Sequence, residues 1–296
     1  MTHPALVHTH HGGRGGAADL DGMTDAPPRP GPAAALLGAA RVAAVLALLV
    51  VGTVAVLAAT LVPGRVGGAR PAQWAAVGLA RAFLAVVGVR LRVEGGAALR
   101  AHRGFVFFNH PTFIDPVLVM AVRPVRFLAA AGVRRLPLLG WLASAVGTLF
   151  VNRGRAGSRA RSRSALLAAV RSSPVPVALA PEGGIHDGPG VGALRHGAFS
   201  VAAEAGAGVR LVALSVEPRA YTRWDAGEWL VAPLWRLSAR TAPLVATVRV
   251  LPALRVAGGS AVAAAAEAER RLTAALVGGP APPAEDVPDV GGAVAA

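Results

Sequence analysis

The chain contains neither cysteine nor lysine, and each absence removes a class of chemistry. Without cysteine there is no disulfide, no thiolate nucleophile, no Cys-ligated zinc and no iron–sulfur cluster. Without lysine, a Walker A loop lacks its phosphate-binding amine and an imine mechanism has no side chain to form it. Aromatic residues are also scarce, at 5% of 296 residues, and 16 acidic residues face 30 basic ones, all arginine, for a formal charge of +14. That charge fits either nucleic acid or an anionic membrane surface. Stacking rings are few and the arginines are scattered rather than striped, so no nucleic-acid partner is expected and a membrane surface fits better. With 54% hydrophobic residues and a mean hydropathy of +0.52, the chain is too apolar to be disordered as a whole.

Residues 1–32 mix Gly, Pro, Asp and His without periodicity and read as a loose tail, with His3, His8, His10 and His11 solvated rather than gathered on a metal. The stretch from Val42 to Val62 is uncharged for 21 residues, enough at about 1.5 Å per residue to cross a hydrocarbon core of ~30 Å. A cleaved signal peptide is the rival, but its apolar region runs to about 7–15 residues and starts earlier, so a retained transmembrane helix is expected. Arg65, Arg70, Arg81, Arg90 and Arg92 after the stretch outnumber Arg14, Arg29 and Arg41 before it. That bias puts the C-terminal body in the cytoplasm, at the cell membrane.

A second apolar stretch, Gln73 to Val89, carries Trp74 and Arg81 and reads equally as an interfacial helix or a core helix. Strands are predicted at Val89–Glu94, Gly104–Phe108, Thr148–Val151, Val175–Ala180 and Arg210–Val216. Helices are predicted at Ser158–Ser172, Gly197–Ala205 and Ala261–Val277. Alternation of the two implies an α/β layer architecture. No internal repeat is present.

The wholly apolar strand over Gly104–Phe108 runs into Asn109-His110-Pro111-Thr112-Phe113-Ile114-Asp115. On one continuous helix, His110 and Asp115 would point about 140° apart. They can meet only if His110 precedes the helix, and Pro111 at the first helical position would supply that start. Asp115 would then fix the imidazole tautomer and leave the other ring nitrogen as a general base. Gly147-Thr148-Leu149-Phe150-Val151-Asn152-Arg153 and Ala180-Pro181-Glu182-Gly183-Gly184 stand at the ends of two further predicted strands, and strand ends gather ligands at one edge of an open sheet. Arg153 there could clamp a phosphate or carboxylate, or make a surface ion pair. Glu182 could orient a hydroxyl or an arginine, or serve as a turn carboxylate. His186-Asp187 beside it reads as a solvated turn.

These residues resemble the glycerolipid acyltransferases typified by bacterial 1-acylglycerol-3-phosphate acyltransferase. The family's Asn-His-x4-Asp block matches Asn109, His110 and Asp115, and its Gly-x-x-Phe-Val-x-Arg block matches Gly147, Phe150, Val151 and Arg153. Its Phe-Pro-Glu-Gly block matches Pro181, Glu182 and Gly183, with Ala180 in place of the leading Phe. The resemblance spans roughly Val89 to Pro218. It implies an α/β fold with a mixed central sheet flanked by helices, and a membrane-associated transfer of an acyl group from acyl-CoA or acyl carrier protein to a lysolipid hydroxyl. It implies no cofactor or metal, with the lysolipid acceptor, the thioester donor and membrane lipid as partners. Asp115 would orient His110, Arg153 would bind the acceptor phosphate, and Asn109, Gly147, Phe150, Glu182 and Gly183 would belong to the substrate site.

Gly184 and Ile185 replace the Thr-Arg that usually closes the third block, and Arg195 before Gly197-Ala198-Phe199 is the candidate to compensate for the missing cation. The fourth block is weak, reading Val212-Ala213-Leu214-Ser215 without its proline. The leading expectation is phosphatidate made from lysophosphatidate. The alternatives are another lysolipid acceptor, such as lyso-ornithine lipid, or a non-catalytic basic membrane-surface protein of the same fold, against which the intact His110–Asp115 pair argues. The expected organisation is a loose tail over 1–32, a transmembrane region over 33–65, an acyltransferase domain over 66–257, and an Ala-rich helix with a loose tail over 258–296.

Overall fold

The computed structural model describes residues 27, 29–152, 157–186, 190–224, 228–256 and 260–277. The expected N-terminal tail, with its four histidines, falls almost wholly outside these residues, as do Arg153, Asp187 and the C-terminal tail.

The first helix, α1 (Pro32–Ala59), begins ten residues before the uncharged stretch, with a proline at its start where the missing N–H is harmless. It is the one described helix long and apolar enough to cross a membrane. Next come α2 (Pro71–Val86), β1 (Val89–Glu94), α3 (Gly96–Ala101), β2 (Phe105–Phe108), α4 (Asp115–Val122) and β3 (Arg126–Ala130). A 3₁₀ turn leads to α5 (Leu139–Ala145), β4 (Leu149–Val151), α6 (Ser158–Ser172), β5 (Val177–Leu179), α7 (His196–Ala205) and β6 (Val209–Glu217). The chain then runs through α8 (Val231–Ser238) and β7 (Leu244–Leu254) to α9 (Ala261–Val277).

The seven strands form one mixed sheet in the order β1-β7-β6-β2-β5-β3-β4. From β6 to β4 all neighbours are parallel; β7 runs antiparallel to β6, and β1 is parallel to β7. Alternate side chains of each strand serve opposite faces. Val106 and Phe108 of β2, with Val212 and Leu214 of β6, join a core beneath α1, α2, α4 and α8. Phe105 and Phe107, with Val209 and Leu211, join a second core beneath α6, α7 and α9. Being buried on both faces, β2 had to be apolar throughout, which is the pattern the sequence shows.

For α2 the structure takes the core-helix alternative. Ala72, Ala76, Ala80 and Leu84 form one buried row, and buried Gln73 donates from Nε2 to Val146 O at 3.0 Å. Two strands lie outside the predicted set, β3 and β7, the latter pairing with β1 over Leu244–Arg249 and with β6 over Val245–Leu254.

Candidate active site

The C-terminal ends of β2, β5 and β6 lie side by side, because the three strands are parallel neighbours. Asn109-His110, Ala180-Pro181-Glu182 and Pro218-Arg219 therefore leave the sheet at one edge, as expected of an open α/β layer.

His110 precedes α4 and turns back toward it. Its Nδ1 lies 2.7 Å from Asp115 Oδ2, with Asp115 fully buried and the imidazole 21% exposed. Pro111 does not start the helix. Asp115 is its first residue and Pro116 its second, so the carboxylate sits in the first turn, where unpaired backbone N–H groups favour negative charge. Thr112 completes the hold on this carboxylate, donating its N–H to Oδ2 at 2.8 Å and its hydroxyl to Oδ1 at 2.5 Å. Sequence reasoning passed over Thr112, although Thr followed three residues later by an acid at a helix start resembles a capping box. With Nδ1–H donated to Asp115, the ring keeps Nε2 for a substrate proton.

Asn109, expected in the substrate site, is turned toward the main chain of β6. It is buried, and its amide exchanges two hydrogen bonds with the main chain of Leu214: Nδ2 to O at 2.9 Å, and Leu214 N to Oδ1 at 2.7 Å. The side chain thus extends the β2–β6 ladder by one step beyond Phe108 and holds the start of the His110 loop. The weak fourth block finds its use here, since it supplies backbone rather than a side chain.

Glu182 comes to His110 from β5. Its Oε2 accepts from His110 N at 3.4 Å, while Oε1 is buried with no hydrogen-bond partner among the described residues. Burial raises the carboxyl from its ordinary 4.5 to about 7; His110 pulls the other way, by charge and through its N–H, and Asp115 adds to the rise. Gly183 has φ +85°, and a Cβ there would stand 2.5 Å from Arg195 Nε. The glycine therefore admits the arginine, which donates from Nε to Glu182 O at 3.2 Å. Arg195 thus stands beside the third block.

The second block is less involved. Gly147, at φ +84°, makes the turn into β4, and a Cβ on it would meet only the Arg126 stem. Phe150 lies on β4 at the edge of the sheet, with the Arg134 guanidinium 5.9 Å from its ring centroid. Their partners are Arg126 and Arg134, not the dyad, because two strands separate β4 from β2. A further pair was not foreseen. His186 N donates to His110 O at 2.9 Å, and Arg219 Nη2 donates to His186 O at 2.6 Å.

Residues 90–217 match the family model described as Acyltransferase. The chain is 36% identical over 107 residues to a lyso-ornithine lipid O-acyltransferase of Pseudomonas aeruginosa, covering 36% of this chain and 41% of that protein. It is 33% identical over 87 residues to the Rhodobacter capsulatus protein of the same name, covering 29% and 30% respectively. It therefore spans less than half the length of these relatives. The crystal structure of the 1-acyl-sn-glycerophosphate (LPA) acyltransferase PlsC from Thermotoga maritima shares the fold, with a TM-score of 0.62 at 14% identity over 81% of this chain and 93% of that one. Over residues 90–217 the chain is thus similar to acyltransferases in sequence and shares the fold of one of them, and the His110–Asp115 pair stands at the sheet edge inside that span.

Proposed function

We propose that this protein transfers a fatty acyl group from an acyl thioester to the free hydroxyl of a lysolipid at a membrane surface. The observation that carries the reading is the 2.7 Å contact between His110 Nδ1 and the fully buried Asp115. Nε2 of His110 takes the proton of the acceptor hydroxyl as its oxygen attacks the thioester carbonyl. The tetrahedral intermediate collapses with departure of the thiolate, and the imidazolium returns the proton to that sulfur. Asp115 holds the tautomer and stabilises the imidazolium throughout. With no cysteine in the chain, direct transfer without a thioester on the protein is the natural course.

The acceptor we favour is a lyso-ornithine lipid. Support comes from Gly184 and Ile185 where phosphate-acceptor enzymes carry Thr-Arg, and from the names of the two relatives. An ornithine headgroup presents both a carboxylate and an ammonium, which suits a site edged by the guanidinium of Arg195 and the carboxyl of Glu182. Lysophosphatidate is the second reading, favoured by Arg195 seated on Gly183 beside the missing arginine's place. The donor is acyl-CoA or acyl carrier protein. The protein would be held at the cytoplasmic face of the cell membrane by α1, in keeping with the arginine bias that follows it.

Purified protein offered labelled acyl-CoA or acyl carrier protein, with lyso-ornithine lipid, lysophosphatidate, lysophosphatidylcholine and lysophosphatidylglycerol in parallel, tests all of this. Product from lyso-ornithine lipid alone upholds the reading. Product from lysophosphatidate alone replaces the acceptor. No product from any pair returns the chain to a non-catalytic membrane protein.

A further inference from the structure

The connection from β6 to β7, residues 218–243, lies beyond the 90–217 family match and takes no part in the chemistry above. It carries the most exposed tryptophan of the described residues, Trp229, at 73%. Two residues on, Val231 is 72% exposed, and Trp235, one helical turn later on the same side of α8, is 36% exposed. The opposite side of α8 is packed, with Pro233 and Leu237 buried. Its one charged side chain, Arg236, is turned inward, paired with Glu228 and donating to Arg223 O at 2.6 Å. α8 thus faces outward with an apolar, aromatic surface, and such surfaces mark interaction sites.

What lies next to it identifies the occupant. α8 is fastened to α1: Arg41 Nη1 donates to Ser238 O at 3.1 Å and Arg240 O at 2.9 Å, satisfying carbonyls at the α8 C-terminus. Gly38 of α1 lets Ala239 approach so closely that a Cβ would stand 2.8 Å from its Cα. α1 itself leaves Leu46, Val50, Val54 and Leu57 exposed, a row at helical spacing without a charge. An indole prefers the headgroup level of a bilayer, where its ring is in apolar surroundings and its N–H in polar ones. An overall charge of +14 complements anionic lipid.

We infer that Trp229, Val231 and Trp235 form a second membrane-seating surface, entering the lipid interface beside α1. This rests on the reading that the protein works at a membrane. It gives the connection a purpose, because the same segment reaches the active site. Arg219 binds His186 O beside His110, and the Trp224 ring meets Phe113 of the His110 loop edge-on, centroids 6.3 Å apart. The depth at which α8 sits would therefore set the height of His110 above the lysolipid hydroxyl.

The chain's lack of cysteine makes the test clean. The full-length protein bearing Val231→Cys, Val54→Cys or Val262→Cys is labelled with an environment-sensitive fluorophore. Each is placed on vesicles of phosphatidylethanolamine and phosphatidylglycerol and quenched either from the lipid by nitroxide-bearing chains or from the water by iodide. Val54 reports α1, and Val262 reports α9 on the other face of the sheet. At Val231, lipid quenching several-fold stronger than iodide quenching is expected, as at Val54, with the reverse at Val262. Lipid quenching at Val54 with iodide quenching at Val231 would overturn the inference and leave the membrane reading standing. Iodide quenching at all three sites would overturn both. Protection of Val231 from both quenchers would mean that a second copy of the chain covers α8, which also overturns it. As an independent arm, Trp229→Ser with Trp235→Ser should lower turnover of vesicle-borne lysolipid several-fold and leave turnover of a monomeric short-chain lysolipid unchanged. Equal loss on both would reduce the tryptophans to a structural role.

Discussion

The first and third blocks meet at one edge of the sheet and differ in how firmly they are held. Asp115 is fully buried with Thr112 N, the Thr112 hydroxyl and His110 Nδ1 all upon it. Asn109 behind it is buried with both amide atoms engaged. Glu182, by contrast, has one oxygen without a partner among the described residues and a carboxyl raised to about 7, while Arg195 beside it is exposed and makes one bond to a carbonyl. The proposed proton-transfer pair is over-determined by its surroundings, and the carboxyl next to it is held by fewer bonds.

Four substitutions probe that contrast, beginning with the largest effect. His110→Ala removes the base and should lower kcat by about 10²–10⁴, with vesicle association and the thermal unfolding midpoint unchanged. Normal turnover by a folded variant would take the base role from His110. Asp115→Ala should damage chemistry and fold together. It leaves the Thr112 donors without an acceptor, for a loss of about 1–3 kcal/mol readable in denaturant unfolding, alongside a large fall in kcat.

Glu182→Gln should act through pH. The folded carboxyl keeps its proton up to about 7, whereas the unfolded one loses it near 4.5. Between those values the native state binds more protons than the unfolded state, so this group's contribution to stability falls as pH rises through that window. The penalty is then constant above it, at most about 3–4 kcal/mol at ~1.4 kcal/mol per unit. The glutamine variant, which cannot titrate, should gain stability over wild type at pH 8 relative to pH 5. An equal difference at both pH values would show that Glu182 is not raised. Arg195→Gln should have the smallest effect, since exposed ionic contacts contribute about 0–1 kcal/mol. An increase of a few-fold in KM for an anionic acceptor is expected, with kcat nearly unchanged. A large kcat effect would move Arg195 into the chemical step.

Local features of this chain could be read without its tertiary structure. α6 and α9 occupy the spans predicted for them, Ser158–Ser172 and Ala261–Val277. β2 announced itself because a strand covered on both faces has no polar side to show. The start of α4 was harder: Pro111 and Pro116 both satisfy the preference for proline in the first turn, and the Thr112–Asp115 bonds select the later one. β3 is half-buried along its whole length and has no strong pattern apart from its neighbours, whereas β7 alternates buried and half-buried residues from Leu244 to Val248, a period-2 signal that is legible in the sequence.

By itself, the sequence excluded thiol and lysine chemistry, marked the apolar helix, and placed His110 and Asp115 close enough for a loop and one helical turn to join them. The tertiary structure decided every partner that lies far along the chain. Leu214 is 105 residues from Asn109, Glu182 is 72 from His110, and Ser238 is 197 from Arg41. Those pairings follow from strand order and register, which place β5 and β6 on either side of β2. No local spacing encodes them, because contacts across such distances form only when burial of the whole sheet offsets the conformational entropy of the chain between.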